Sequence, residues 1–193
     1  MRRLAIVAGL GGLALLVGGS VCLWFCWPTI TQRLHSPKPA ASWHVYFSPH
    51  GDCTAAVVSA LDDAKSNILV QAYSFTSAPI AEALVKAKKR GVTVQVILDR
   101  SQKTERYSSA TFLQNSEIPT FIDSQHAIAH NKVMVIDSAT VITGSFNFTK
   151  AAEEKNAENL LVIQDAQLAE KYSVNWTNHL RHSEQYEGAT QKQ

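Results

Sequence analysis

The chain has 193 residues, 46% of them hydrophobic, enough to bury one sizeable core and too few for two large domains. Three cysteines with no Cys-x-x-Cys exclude a disulfide-stapled mini-protein and a zinc ribbon. The net charge of +2 is unevenly placed: residues 1–39 carry Arg2, Arg3, Arg33 and Lys38 and no acid, so the remainder, with 14 basic and 16 acidic side chains, is no cationic block and needs a local basic site to bind a polyanion.

Residues 4–27 are uncharged and mostly apolar after Met-Arg-Arg. About 20 such residues cross a bilayer as a helix, whereas a cleaved signal has a shorter apolar core followed closely by a small-residue cleavage site. The expectation is an uncleaved transmembrane anchor over residues 1–27, with Trp24, Trp27 and Pro28 at the far interface. Secretion to the periplasm after signal cleavage is the alternative. Arg2 and Arg3 favour a cytoplasmic N-terminus, opposed in part by Arg33 and Lys38, which puts the rest of the chain on the extracytoplasmic, periplasmic side. Residues 28–42, rich in Pro, Ser and Ala, read as a linker, 43–186 as a catalytic domain and 187–193 as a tail. Cys53, the one cysteine beyond the anchor, reads as a small buried apolar residue.

Beyond the linker the hydrophobic period alternates. Residues 43–47 (WHVYF) read as a strand, 52–66 as a helix and 68–73 (ILVQAY) as a strand. Residues 78–90 read as a helix with Lys and Arg at its C-terminal end, stopped by Gly91, and 92–98 (VTVQVIL) as a strand. A helix is expected near 104–115. Strands are expected at 118–122, 132–136, 141–146 and 160–163, and a closing helix at 166–180. The pair 132–136 and 141–146 reads as a hairpin. The fold class is therefore α/β: a mixed, mostly parallel β-sheet flanked by helices, preceded by the N-terminal transmembrane helix.

Chemistry concentrates between His130 and Asn159. His130-x-Lys132 is followed by Asp137, then by Gly144-Ser145 and Asn147. Positions i and i+2 of a strand share a face, so His130 and Lys132 project together, as do Ser145 and Asn147, and a hairpin brings all four to one end of the sheet. The set suits phosphate esters: imidazole as nucleophile, ammonium against the non-bridging oxygens, hydroxyl and amide as further donors. Glu158 can accept the second ring N–H of His130 and fix its orientation. This scheme needs no metal or cofactor. His126-x(3)-His130 lacks the helix that would make it a metal pair, which leaves His126 a pocket-lining or structural residue; His35, His44, His50, His179 and His182 carry no signal of their own. Tyr73 and Phe75 either stack on bases at the site or pack in the core. Arg100, Lys103, Arg106 and Tyr107 form a small basic, aromatic loop that either guides a nucleic-acid backbone or is simply solvated.

The stretch resembles the HKD motif of the phospholipase D superfamily, H-x-K-x(4)-D followed by G-S-x-N, and matches it completely. Residues 71–77 (QAYSFTS), 88–99 (KKRGVTVQVILD) and 143–163 extend the likeness to the small bacterial Nuc-type endonucleases, over about residues 43–185. Larger members carry two motifs and this chain one, so the resemblance implies a homodimer whose two motifs form one site. It implies that His130 attacks phosphorus to give a phosphohistidine, and that His130 of the second subunit protonates the leaving oxygen and then activates water. Lys132, Ser145 and Asn147 would hold the phosphoryl oxygens and Glu158 would orient the histidine, while Asp137, at the far end of its strand, would be a structural acceptor. Two identical histidines in opposite protonation states predict a bell-shaped pH profile. The function so implied is metal-independent cleavage of DNA, with RNA as a candidate further substrate and with little sequence specificity; the alternative is a phospholipase D acting on lipid head groups, which uses the same chemistry. The intact motif argues against a non-catalytic binding protein.

Overall fold

The computed structural model describes residues 40–105 and 108–188. Among these, no helix is long and apolar enough to cross a membrane; the expected anchor at 4–27, most of the linker, Arg106 and Tyr107 lie outside the described residues.

One sheet organises the chain. Its strands are β1 (Ser42–Ser48), β2 (Asn67–Ala72), β3 (Thr93–Asp99), β4 (Thr120–Asp123), β5 (Lys132–Ile136), β6 (Thr140–Gly144), β7 (Glu158–Gln164) and β8 (Glu184–Gln185), in the spatial order β1-β7-β6-β5-β2-β3-β4-β8. The helices are α1 (Cys53–Asp63), α2 (Ala78–Lys89), α3 (Ala110–Asn115), α4 (Lys150–Glu154) and α5 (Ala166–Leu180), with a 3₁₀ turn at Arg100–Lys103.

The sheet is mixed, but the expected parallel majority is wrong. Only β2–β3 and β3–β4 are parallel; the other five neighbouring pairs are antiparallel. Helical crossovers build the parallel part, as a parallel pair requires. The rest arises where β5 adds antiparallel to β2, folds into the hairpin with β6, and β1 closes antiparallel on β7.

The main core lies between the sheet and α1–α3. Cys53, Val57 and Leu61 of α1 and Ile80 and Leu84 of α2 are fully buried with Ile68 and Val70 of β2. Burial pushes the Cys53 thiol up to about 11, with the Glu153 charge adding to it, so this cysteine is an inert apolar residue as the sequence suggested. α5 covers the opposite face, where Ala169 meets Val133, Val135 and Val141. Trp176 is buried and donates its indole N–H to the Val70 carbonyl at 2.8 Å. Burial of such a side chain contributes about 2–3 kcal/mol and locks α5 over the middle of the sheet.

Asp137 pins the end of the sheet remote from the motif histidine. Its carboxylate accepts from the backbone N–H groups of Lys65, Ser66 and Asn67 and from the Ser66 hydroxyl. Burial alone would raise this carboxyl, but those donors outweigh it and hold it below the ordinary aspartate range. It thus fixes where β2 begins against β5.

Candidate active site

The strand register gathers the motif. Lys132 pairs with Ala72 at the C-terminal end of β2, Gly144 with Leu160, and Glu158 with Ser48. The N-terminal ends of β5 and β7 and the C-terminal ends of β1, β2 and β6 therefore coincide, and His130, Lys132, Ser145, Asn147 and Glu158 all lie at this one end. The hairpin puts them there, as the sequence predicted; the expected strand spacing does not, because β5 begins only at Lys132 and β6 ends at Gly144, which leaves His130, Ser145 and Asn147 in the flanking loops.

His130 is exposed, one residue from the strand, its ring 4.6 Å from the ring of Tyr73 at a tilt of 56°. The Tyr73 N–H donates to the Asn131 carbonyl at 2.7 Å, which ties the histidine loop to the end of β2. Lys132 is only 6% exposed; its ammonium donates to the His130 carbonyl at 3.0 Å and stands 5.1 Å from the centre of the Tyr73 ring. Burial lowers the pKa of this lysine and the Glu158 charge partly restores it. A desolvated cation beside an open imidazole is a strong site for a phosphodiester anion.

On the other side of the hairpin, Gly144 has φ +146°, and a Cβ there would collide with the Asn159 carbonyl, so only glycine lets β6 approach β7 this closely. The same carbonyl accepts from the Ser145 and Phe146 N–H groups, each at 3.1 Å. The Ser145 hydroxyl accepts from the Asn159 backbone N–H at 3.1 Å and from its side-chain amide at 3.3 Å, which leaves the hydroxyl proton for a ligand. The side-chain oxygen of Asn147 is buried without a hydrogen-bond partner, and rotation of its amide presents N–H instead. Neither residue caps α4: that role falls to Thr149, whose hydroxyl accepts from the Ala152 N–H at 3.1 Å. Glu158 accepts from the Asn156 side chain at 3.2 Å, and its charge reaches Lys132.

Tyr73 thus belongs to the site, whereas Phe75 is fully buried, edge-on to Phe148 at 5.8 Å, and belongs to the core. Of the basic loop, Lys103 pairs with Glu184 at 3.8 Å. Sequence reasoning missed Asp99, a buried acid at the end of β3. It accepts from the Ser101 N–H at 2.9 Å and from the Ala129 N–H at 2.7 Å, and so holds the loop that delivers His130. It also missed the company of His126. That ring meets Asp123, His179 and His182, not His130, with ring centres 5.0 Å from His179 and 5.3 Å from His182.

A sequence profile described as "Cardiolipin synthase, PLD-like domain" matches residues 57–180, which hold the whole motif. The chain belongs to the phospholipase D superfamily. Among superfamily structures, that of "a phospholipase D family member, Nuc" from Salmonella typhimurium superposes with a TM-score of 0.74 at 45% identity, covering 76% of this chain and 99% of that one. A Rickettsia conorii relative named "Phospholipase D" is 46% identical over 132 residues, which span 68% of this chain and 66% of the relative. A Xenopus laevis relative named "Mitochondrial cardiolipin hydrolase" is 29% identical over 203 residues, 97% of this chain and 93% of its own. The superfamily is one of phosphodiesterases, and the mixed sheet flanked by helices is its fold.

Proposed function

We propose that this superfamily member is a metal-independent phosphodiesterase that cleaves nucleic acid with little sequence specificity. The observation that carries the reading is the exposed His130 beside the buried ammonium of Lys132, at a sheet end open to solvent. An open site admits a polymer backbone, and the likeness to Salmonella Nuc spans nearly all of that chain.

In this reading His130 attacks phosphorus and expels an alkoxide oxygen, forming a phosphohistidine that water then hydrolyses. Lys132, the Ser145 hydroxyl and the Asn147 amide stabilise the charge on the phosphoryl oxygens. Glu158 releases Asn156 to orient the imidazole. One histidine cannot be nucleophile and acid at once, so the active species is a homodimer in which the partner's His130 protonates the leaving group. The exposed Trp43, Val45 and Phe47 along edge strand β1 support a covering copy. The apolar residues 4–27 support a membrane anchor with the domain on the extracytoplasmic side.

The relatives named for phospholipid substrates support a second reading, hydrolysis of a lipid head group by the same residues. The test is the full-length chain in detergent micelles, given plasmid, single-stranded DNA and phosphatidylcholine or cardiolipin vesicles in EDTA. The proposal predicts DNA cleavage. Lipid hydrolysis alone would move the assignment to the second reading, and DNA cleavage only on adding Mg²⁺ would contradict the metal-independent mechanism.

A further inference from the structure

We propose that Asp123, His126, His179 and His182 bind one divalent transition-metal ion of the zinc class in a closed, structural site. The four residues come from the end of β4, the loop that leads to His130, the last turn of α5 and the turn into β8. Their ligand atoms all lie within 4.8 Å of one another. Oδ2 of Asp123 stands 3.2 Å from Nδ1 of His126, 2.7 Å from Nδ1 of His179 and 3.3 Å from Nε2 of His182. With bonds of about 2.0–2.1 Å, tetrahedral zinc sets its ligand atoms about 3.3 Å apart, so the most separated of these atoms would draw together by up to about 1.5 Å to enclose an ion.

Hydrogen bonding explains the arrangement less well. Three ring nitrogens crowd one carboxylate: all lie within 3.3 Å of Oδ2, and Oδ1, 3.3 Å from His126 Nδ1, already accepts from the Gln125 N–H at 3.1 Å. Nε2 of His182 is buried and faces Asp123 Oδ2 at 3.3 Å without the geometry of a hydrogen bond, so it points into the cluster with its bonding capacity unused. The Asp123 side chain is fully buried among the three rings. Three imidazoles and one carboxylate suit zinc, not calcium or magnesium, which prefer all-oxygen sites. Four protein ligands leave no position for a substrate, which makes the role structural. His126, with 45% of its side chain exposed, gives the ion a path from solvent. The bound metal would tie α5 to the loop whose far end carries His130, reinforcing the hydrogen bond that the Ala129 N–H donates to Asp99.

The test is metal binding by the full-length chain in detergent micelles after chelator treatment, with readouts independent of catalysis. Titration with Co²⁺ should give visible absorption of tetrahedral intensity, saturating at one equivalent and displaced by Zn²⁺. Excess Zn²⁺ should raise Tm by about 5–10 °C. His126→Ala, at the most exposed ligand, and His179→Ala should each weaken Co²⁺ binding about 100-fold or more. Absence of both the Co²⁺ band and the Zn²⁺ shift in the wild-type chain would overturn the site, as would unchanged binding in both variants. The wild-type titration decides the matter even if a variant fails to fold.

Discussion

His130→Asn should reduce phosphodiester cleavage by at least about 10⁴-fold, measured as kcat on bis(p-nitrophenyl) phosphate and as plasmid nicking. Asparagine approximates the size of imidazole but supplies neither a nucleophile nor a proton carrier near neutral pH. Loss of a nucleophile that acts as a unit with its neighbours leaves only the residual effect of binding and charge stabilisation. The substitution has little structural cost. His130 is exposed and meets the Tyr73 ring, and exposed substitutions of this kind change stability by about 0.5 kcal/mol or less. An unchanged Tm with lost turnover is the expected pair of results. Cleavage within tenfold of wild type, in protein free of contaminating nuclease, would remove His130 from the chemistry.

Lys132→Met should lower kcat/KM by about 10²–10³-fold, the range seen when one preorganised electrostatic donor is lost. Methionine keeps the apolar stem in place and deletes only the ammonium. Lys132 is nearly fully buried, and burial lowers its pKa, so the charge is held at a cost that only a bound anion offsets well. Glu158 is its electrostatic partner and loses the counter-charge in the variant. Stability should therefore change little, because relief of lysine desolvation and exposure of the Glu158 charge act in opposite directions. A fall in activity at constant Tm identifies an electrostatic role in the site. Full activity, or a collapse in Tm that accounts for the loss, would make Lys132 a structural residue.

Much of this site was legible because its parts are close in sequence. His130 and Lys132 are two residues apart at the start of β5, and a short hairpin returns Ser145 and Asn147 to the same end. Asp137 was legible as structural because it falls at the opposite end of the same strand, where it meets the start of β2. The closing helix α5 spans Ala166–Leu180, the range read from the sequence.

What escaped depends on long-range pairing. A local pattern of alternating strands and helices does not reveal that β5 inserts beside β2, or that β1 returns to β7, so the sheet was expected to be mostly parallel. β8 has two residues and no period to read. The Asp123–His179 contact joins positions 56 residues apart, brought together by α5 crossing the sheet. His126 has His130 as its nearest histidine in sequence, while the rings it meets, His179 and His182, come from the far end of the chain. Asp99 reads locally as the polar end of a strand, and its hold on Ala129 depends on where the following loop returns.

A covalent bond between His130 and phosphorus is the central step of the proposed mechanism. The most direct measurement is a denaturing quench during turnover of a phosphodiester substrate, followed by mass spectrometry of the chain under alkaline conditions that preserve phosphoramidates. The expected result is an acid-labile substrate-derived phosphoryl adduct on His130, absent from His130→Asn. Turnover by the wild-type chain with an adduct on another residue, or with no adduct at any quench time, would contradict it.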